Sequence, residues 1–251
     1  MSNLRLEGKK ALITGGTTGI GFETAQSFIQ EGAQVMITGR SQDKIDSAVN
    51  ALGGNAIGVV ADSSSFNDLK KLATHVEKSF GNLDILFANA GNGVFSPLSD
   101  VTEESYDHQF DLNVKGVFFT VQQMLPLLAK GSSIVLTASA VHGKGFSGGS
   151  LYFASKAAVR SFARSMAAEL GPQGIRVNTL SPGLIPTKFF SNSNIGDAGY
   201  EPFAQAITSS APLARVGNAL EIANAAVFLG SDESSYMTAA DLVIDGGWMN
   251  V

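Results

Sequence analysis

Seven short apolar runs alternate with longer amphipathic stretches along this chain, and that alternation narrows the fold to one class. The runs are Ala11–Thr14, Gln34–Thr38, Ala56–Ala61, Leu83–Ala88, Ser133–Ala138, Arg176–Leu180 and Leu242–Ile244. They are apolar through most of their length, not at every second residue. Strands of that kind are buried on both faces, as in a parallel sheet covered by helices. The stretches near 20–31, 42–52, 66–80, 103–128, 151–170 and 218–230 read as helices. A β-α-β-α order requires right-handed crossovers. The expectation is an α/β fold: a doubly wound, Rossmann-type, mostly parallel seven-stranded sheet with helices on both faces. Pro126, near the end of the 103–128 stretch, predicts a stop or kink there.

With 251 residues, 44% of them hydrophobic, the chain can bury the core of one large domain spanning 1–251. Its net charge is −5 with no basic cluster, which argues against nucleic-acid binding. It has no Cys, which excludes disulfides, Cys nucleophiles and thiolate metal sites. No His, Asp and Glu set has metal-ligand spacing on one element, so no metal is expected. The first ten residues contain no apolar signal core, and no stretch approaches the ~18 apolar residues of a membrane span. A soluble cytoplasmic protein is the expectation. The least regular segment, 181–212, holds four Pro and several aromatic residues. A long segment of this sort in a compact domain predicts a substrate lid, placed at 184–212.

The string Thr-Gly-Gly-Thr-Thr-Gly-Ile-Gly at 14–21 closes the first strand and opens the first helix. Gly15, Gly19 and Gly21 let backbone N–H groups approach a pyrophosphate, and the helix N-terminus adds partial positive charge. Thr17, Thr18 and Ile20 complete this turn. The strand–turn–helix setting is the one dinucleotide binding requires. At the end of the second strand, folds of this type often carry an acid for the adenosine 2′-hydroxyl. This chain has Gly39, Arg40 and Ser41 instead. A guanidinium can grip a 2′-phosphate bidentately, so the reading is NADP(H).

Tyr152 and Lys156 lie one helical turn apart, with Ser139 thirteen positions upstream of Tyr152. A unit charge ~5 Å from the phenol, at an effective dielectric of ~20, is worth about 3 kcal/mol. That would bring a Tyr from ~10 towards ~8 unless desolvation cancels it. A Tyr tuned in this way serves acid–base chemistry near neutral pH.

These residues resemble the short-chain dehydrogenase/reductase family in its compact single-domain form. The resemblance spans essentially the whole chain. It rests on the 14–21 turn, Asn89-Ala90-Gly91, Asn113, Ser139, Tyr152 with Lys156, the Asn178–Gly183 segment and Asp245-Gly246-Gly247. Within the family the chain is similar to NADPH-dependent carbonyl reductases, or secondary alcohol dehydrogenases. The resemblance implies that Tyr152 protonates a substrate carbonyl as hydride arrives from the nicotinamide. It implies that Lys156 lowers the phenol pKa and holds the nicotinamide ribose, and that Ser139 binds the substrate oxygen. Asn113 would hold a water of a proton relay. Asp62 would meet the adenine amino group, and Asn89, Ala90 and Gly91 would line the adenine ribose and the cofactor's central portion. Pro182, Gly183, Ile185 and Thr187 would contact the nicotinamide end. Two positions depart from the family pattern. Ala88 replaces a frequent second Asn and reads as strand packing. Thr18 replaces a frequent Lys or Arg, which leaves the phosphate preference mostly on Arg40.

The substrate pocket is expected between the glycine-rich loop 140–151 and the lid, beyond the carboxyl ends of the strands. Leu184, Phe189, Phe190, Tyr200 and Phe203 on the lid favour an apolar or aromatic ketone or aldehyde. Lys144 and Lys188 are the only cations in the two segments. His142 reads equally as a pocket residue and as an ordinary loop histidine, and His75 and His108 read as exposed. Phe153, Val159, Phe162 and Met166 give the 151–170 helix two apolar faces, one of them free for a partner copy. The resemblance implies a homo-oligomer, a tetramer or a dimer. A 3-oxoacyl-thioester reductase with the same site remains an alternative, as does a dinucleotide-sensing protein without turnover.

Overall fold

The computed structural model describes residues 4–191 and 193–251. Asn192 of the expected lid, and Met1 to Asn3 of the segment read for a signal core, lie outside the described residues. The seven strands are β1 (Lys10–Ile13), β2 (Gln34–Gly39), β3 (Ala56–Val60), β4 (Leu83–Ala88), β5 (Leu128–Thr137), β6 (Arg176–Pro182) and β7 (Asp241–Ile244). They form one sheet in the order β3-β2-β1-β4-β5-β6-β7, with every neighbouring pair parallel. Helices α1 (Gly19–Gln30), α2 (Gln42–Leu52) and α3 (Phe66–Phe80) connect the first four strands.

The apolar character of the central strands follows from their two covered faces. Leu12, Leu86, Ile134, Leu136 and Val177 point into one core, together with Leu69, Leu72 and Val76 of α3. Their neighbours Ala11, Ile13, Ile85, Phe87, Val135 and Leu180 point into the other, against Ala25 and Phe28 of α1 and Ile222 and Ala226 of α8 (Ala219–Gly230). The two edge strands differ from the expectation of full burial. β3 leaves Ile57 39% and Val60 47% exposed, and β7 is only half-buried throughout.

The 103–128 stretch is interrupted at a point that Pro126 does not mark. It comprises α4 (Glu103–Phe110), a wide π-helical turn at Asp111–Gly116, and α5 (Val117–Met124). Pro126 sits in a short 3-10 turn that ends it. After β5 the chain enters α6 (Ser150–Leu170). The expected lid is less irregular than its composition implied, because it contains α7 (Tyr200–Thr208). Pro202 falls in the first turn of that helix, where its missing N–H does no harm, and Ala204 and Ile207 bury the inner face.

Strand order reverses between β1 and β4. In open α/β sheets a crevice forms at that point, beyond the carboxyl ends of the strands. The loops after β1, β2, β4, β5 and β6 all open onto it.

Candidate active site

The loop after β1 is shaped by close backbone approach. Gly15 has φ +66° and its face lies against Ala90, where a Cβ would stand 3.0 Å from Ala90 Cα. A Cβ on Gly21 would stand 2.3 Å from Gly15 O, so only glycine fits there. The loop is tied to β4 by Thr14, whose Oγ1 accepts from both Asn89 N and Ala90 N at 3.0 Å. Asn89 Nδ2 returns a bond to Thr14 O at 3.1 Å. Ala88, 2% exposed, packs in the core as the sequence implied.

Helices α3, α4 and α8 begin with side-chain caps from Ser65, Thr102 and Asn218. Helix α1 does not: Thr18 makes no cap bond, and no acid stands in the first turn. Its first N–H groups are therefore available to an anion. Nearby, the buried Thr38 hydroxyl on the cleft wall has no hydrogen-bond partner. Gly19, Thr17, Thr18, Ile20, Gly21, Arg40, Ser41, Asp62, Asn89, Ala90 and Gly91 all line one cleft of about 670 Å³. Arg40 is exposed. Lys44, one turn further along in α2, also faces this end, a second cation that the sequence reading missed. Asp62 Oδ1 accepts from Ser64 N and Oγ at 2.9 and 2.7 Å. The chemistry of this cradle fits the phosphates of a dinucleotide.

The same cleft continues to Ser139, Tyr152 and Lys156, and past Pro182, Gly183, Ile185 and Thr187. The β5 end delivers Ser139 and the first turns of α6 deliver Tyr152 and Lys156. Tyr152 and Ser139 share a hydrogen bond. Lys156, 4% exposed, donates from Nζ to Thr137 O at 2.9 Å and lies 5.8 Å from the Tyr152 ring centre. The expected fall of the Tyr152 pKa does not occur in the protein by itself. Burial raises it to about 12, against a smaller lowering by the Ser139 bond. Burial also lowers Lys156 to about 8. Desolvation is thus the largest cause for both groups. Its source is aromatic: Phe95 and Phe189 each stand 5.4 Å from the Tyr152 ring.

Asn113 lies behind the cleft wall instead of on it, fully buried in the π-helical turn. Its Oδ1 accepts from Asn92 N at 3.0 Å, and its Nδ2 donates to Asn92 O at 2.9 Å and Ser155 Oγ at 3.1 Å. It thereby braces the loop after β4. Buried Gln109 does the same, accepting from Val94 N at 2.6 Å and donating to Asn92 O at 3.1 Å. A Cβ on Gly91 would stand 3.2 Å from Asn113 Oδ1 and 3.3 Å from Lys156 Nζ, so the three converge on one small space.

Beyond Tyr152 the wall consists of Phe95, Leu184, Phe189, Phe190, Phe203 and Trp248. Tyr200 is not among the lining residues and packs on Phe190 at 5.4 Å. The glycines of the 140–151 loop do not line the cleft either; Ala140 and Val141 do. Phe95 was missed. The available signal was an aromatic residue in the loop after β4, at the carboxyl edge of the sheet. Asn194 on the opposite segment fastens this loop: its amide accepts from Phe95 N at 2.9 Å and donates to Phe95 O at 2.5 Å. Lys188 lines the cleft, while Lys144 bonds Val251 O at 3.2 Å. His108 is exposed as expected but also reaches the cleft rim, 2.7 Å from Asn92 Nδ2.

A family profile described as enoyl-(acyl carrier protein) reductase matches residues 15–249. The crystal structure of a short-chain type dehydrogenase/reductase from Mycobacterium marinum superposes with a TM-score of 0.91 at 32% identity, covering 99% of this chain and 98% of that one. The chain belongs to the short-chain dehydrogenase/reductase family. Oxidoreductase asL5 of Sarocladium schorii is 46% identical over 245 residues, 97% of this chain and 96% of the relative. The Pseudomonas aeruginosa RhlG/NADP active-site complex matches with a TM-score of 0.91 at 30% identity, covering 99% of this chain and all of that one. The protein is thus an oxidoreductase of a family that uses nicotinamide dinucleotides.

Proposed function

We propose that this short-chain dehydrogenase/reductase transfers hydride between NADP(H) and an apolar or aromatic ketone or aldehyde and the corresponding alcohol. The observation that carries the reading is the continuity of one cleft. It begins at Arg40, Ser41 and Lys44, passes the α1 N-terminus, and ends at Tyr152 among four phenylalanines. The two cations Arg40 and Lys44 at the first end suit a 2′-phosphate. The NADP complex of the Pseudomonas relative supports the same cofactor.

When bound, the dinucleotide supplies or accepts the hydride. Tyr152 Oη gives a proton to the carbonyl oxygen in reduction and takes one from the alcohol in oxidation. With its pKa near 12, the phenol holds its proton at neutral pH, which is the form reduction needs. Ser139 Oγ donates to the same substrate oxygen as negative charge develops there. Lys156, with a pKa near 8, carries the proton that restores Tyr152. Asn113 holds the Gly91–Asn92 backbone around that ammonium and a water that links it to solvent. Segment 184–212 closes over the substrate as a lid. Phe118, 38% exposed on α5, meets Phe162 of α6 edge to face at 5.5 Å. This outward apolar face supports assembly with further copies into a tetramer or dimer. Among the described residues no helix is long and apolar enough to cross a membrane, and we place the enzyme in the cytoplasm.

Initial rates of NADPH and NADH oxidation against aryl ketones, diketones, aldehydes and an acetoacetyl thioester test this reading. Fast NADPH oxidation with aryl ketones or diketones supports it. Preference for the thioester would move the enzyme to lipid synthesis, a reading favoured by the acyl-carrier description of the matching profile. Tyr152→Phe should lose turnover by at least ~100-fold and retain NADPH binding. Equal slow rates in both proteins would point to a dinucleotide sensor.

A further inference from the structure

Three residues past Ser139, His142 leaves the cleft wall and reaches Asp241 at the start of β7. Its Nε2 stands 2.6 Å from Asp241 Oδ2, with the two side chains only 11% and 12% exposed. Asp241 Oδ1 accepts from Thr179 Oγ1 at 2.7 Å and from Ser181 Oγ at 2.6 Å. Arg160 Nε of α6 stands 3.8 Å from Oδ2. One half-buried carboxylate therefore joins the turn after β5 to the end of β6.

The two joined segments meet again at the cleft. Ser181 precedes Pro182, and Pro182 O accepts from Ser139 Oγ. His142 N donates to Ser139 O at 3.1 Å, which closes the turn that carries Ser139. Apart from its bond with Tyr152, the Ser139 hydroxyl is weakly held. Its bonds to Pro182 O and Val141 N are both 3.4 Å long, at the weak end of the range. The bonds to Asp241 are short and charge-assisted, hence the stiffer part of this frame. Burial pushes the Asp241 carboxyl up, and the bonds from His142, Ser181 and Thr179 more than offset it, so the group stays ionised.

We propose that His142 and Asp241 are positioning residues that hold the Ser139 hydroxyl at its working place beside Tyr152. This rests on the catalytic reading of Ser139 above. Neither residue touches the cleft, so their effect must pass through Ser139. A displacement of about 1 Å in a reacting group lowers turnover by up to ~100-fold. A purely structural pair would instead lower stability and leave the chemistry of the folded fraction unchanged.

The test is a cycle of kcat measurements on the full-length protein, with ketone and NADPH saturating. His142→Leu should lower kcat by about 10- to 100-fold with the KM for NADPH unchanged. His142→Gln, whose amide can still donate to Asp241, should recover most of the loss. In a Ser139→Ala background His142→Leu should change kcat by less than ~3-fold, since the group it positions is gone. Asp241→Asn, close in shape, should reproduce the effect and serves if His142→Leu does not fold. An equal loss in both backgrounds, no loss in the parent, or no recovery with Gln would overturn the proposal. If Ser139→Ala alone keeps full turnover, the catalytic reading of Ser139 fails first and the positioning role falls with it.

Discussion

Replacing Lys156 by methionine should make the protein without cofactor more stable while abolishing its turnover. The ammonium is 4% exposed, donates to Thr137 O, and has no carboxylate within ion-pair distance among the described residues. Its pKa falls from 10.5 to about 8, so below pH 8 the fold carries the full cost of burying the charge, about 3 kcal/mol. Methionine removes that cost and leaves Thr137 O unpartnered, which costs about 1 kcal/mol. The net gain at pH 7 is about 2 kcal/mol. Between pH 8 and 10.5 the unfolded chain binds the proton that the folded chain has released. Wild-type stability should therefore rise with pH across that window, by about 2 kcal/mol from pH 8 to 10. The variant should lack this rise. Tyr152 acts in the opposite sense, because its raised pKa removes stability only between pH 10 and about 12. Urea unfolding at fixed protein concentration, at pH 7 and pH 9.5, measures both quantities. A variant less stable than wild type at pH 7, or one that keeps the same pH slope, would refute this account of the buried ammonium.

Arg40→Ala should lower NADPH selectivity over NADH by at least ~10-fold in kcat/KM, and Lys44→Ala by less, because a charge-assisted bond is worth about 1.5–3 kcal/mol. Gly39→Asp should shift preference the same way, and unchanged selectivity in all three would remove the 2′-phosphate from this end of the cleft. Gly21→Ala should abolish dinucleotide binding in a fluorescence titration, since its Cβ would stand 2.3 Å from Gly15 O. Asn194→Ala should raise the ketone KM several-fold with little change in the KM for NADPH, because it releases both bonds to the Phe95 backbone. Equal effects on both KM values would show that this bond pair serves the whole cleft.

The strands were legible because burial on two faces leaves a continuous apolar signature, and Ile85 to Ala88 carry it without interruption. The π-helical turn was not, because Asp111 to Gly116 continue the amphipathic pattern of α4 and α5 and nothing in their composition marks a wider turn. Helix α7 was hidden by Pro202 and by the brevity of its apolar face. The glycine turn after β1 was legible, since glycines between a strand and a helix mark a close backbone approach, but Lys44 was not, because a lone cation on a helix reads as a solvated charge. The titration of Tyr152 was not, because burial depends on Phe95 and Phe189, which come from loops far apart in sequence. Likewise the partner of His142 lies 99 residues away on an edge strand.

The wide turn at Asp111–Gly116 lets the central helix hold one residue more than a regular rod of the same span. An α-helix advances ~100° per residue, and a π-turn absorbs one inserted residue by widening. Deleting one residue between 111 and 116 would restore regular pitch and leave α4 and α5 close to their present phase, so Val117, Val121 and Met124 would stay in the core. What would be lost is the aim of Asn113 at Asn92. A single-residue deletion early in α5 has no wide turn to absorb it and would rotate Val121 and Met124 out of the core. A scan of such variants should show folded proteins with a loosened loop at this turn, and unfolded ones within α5.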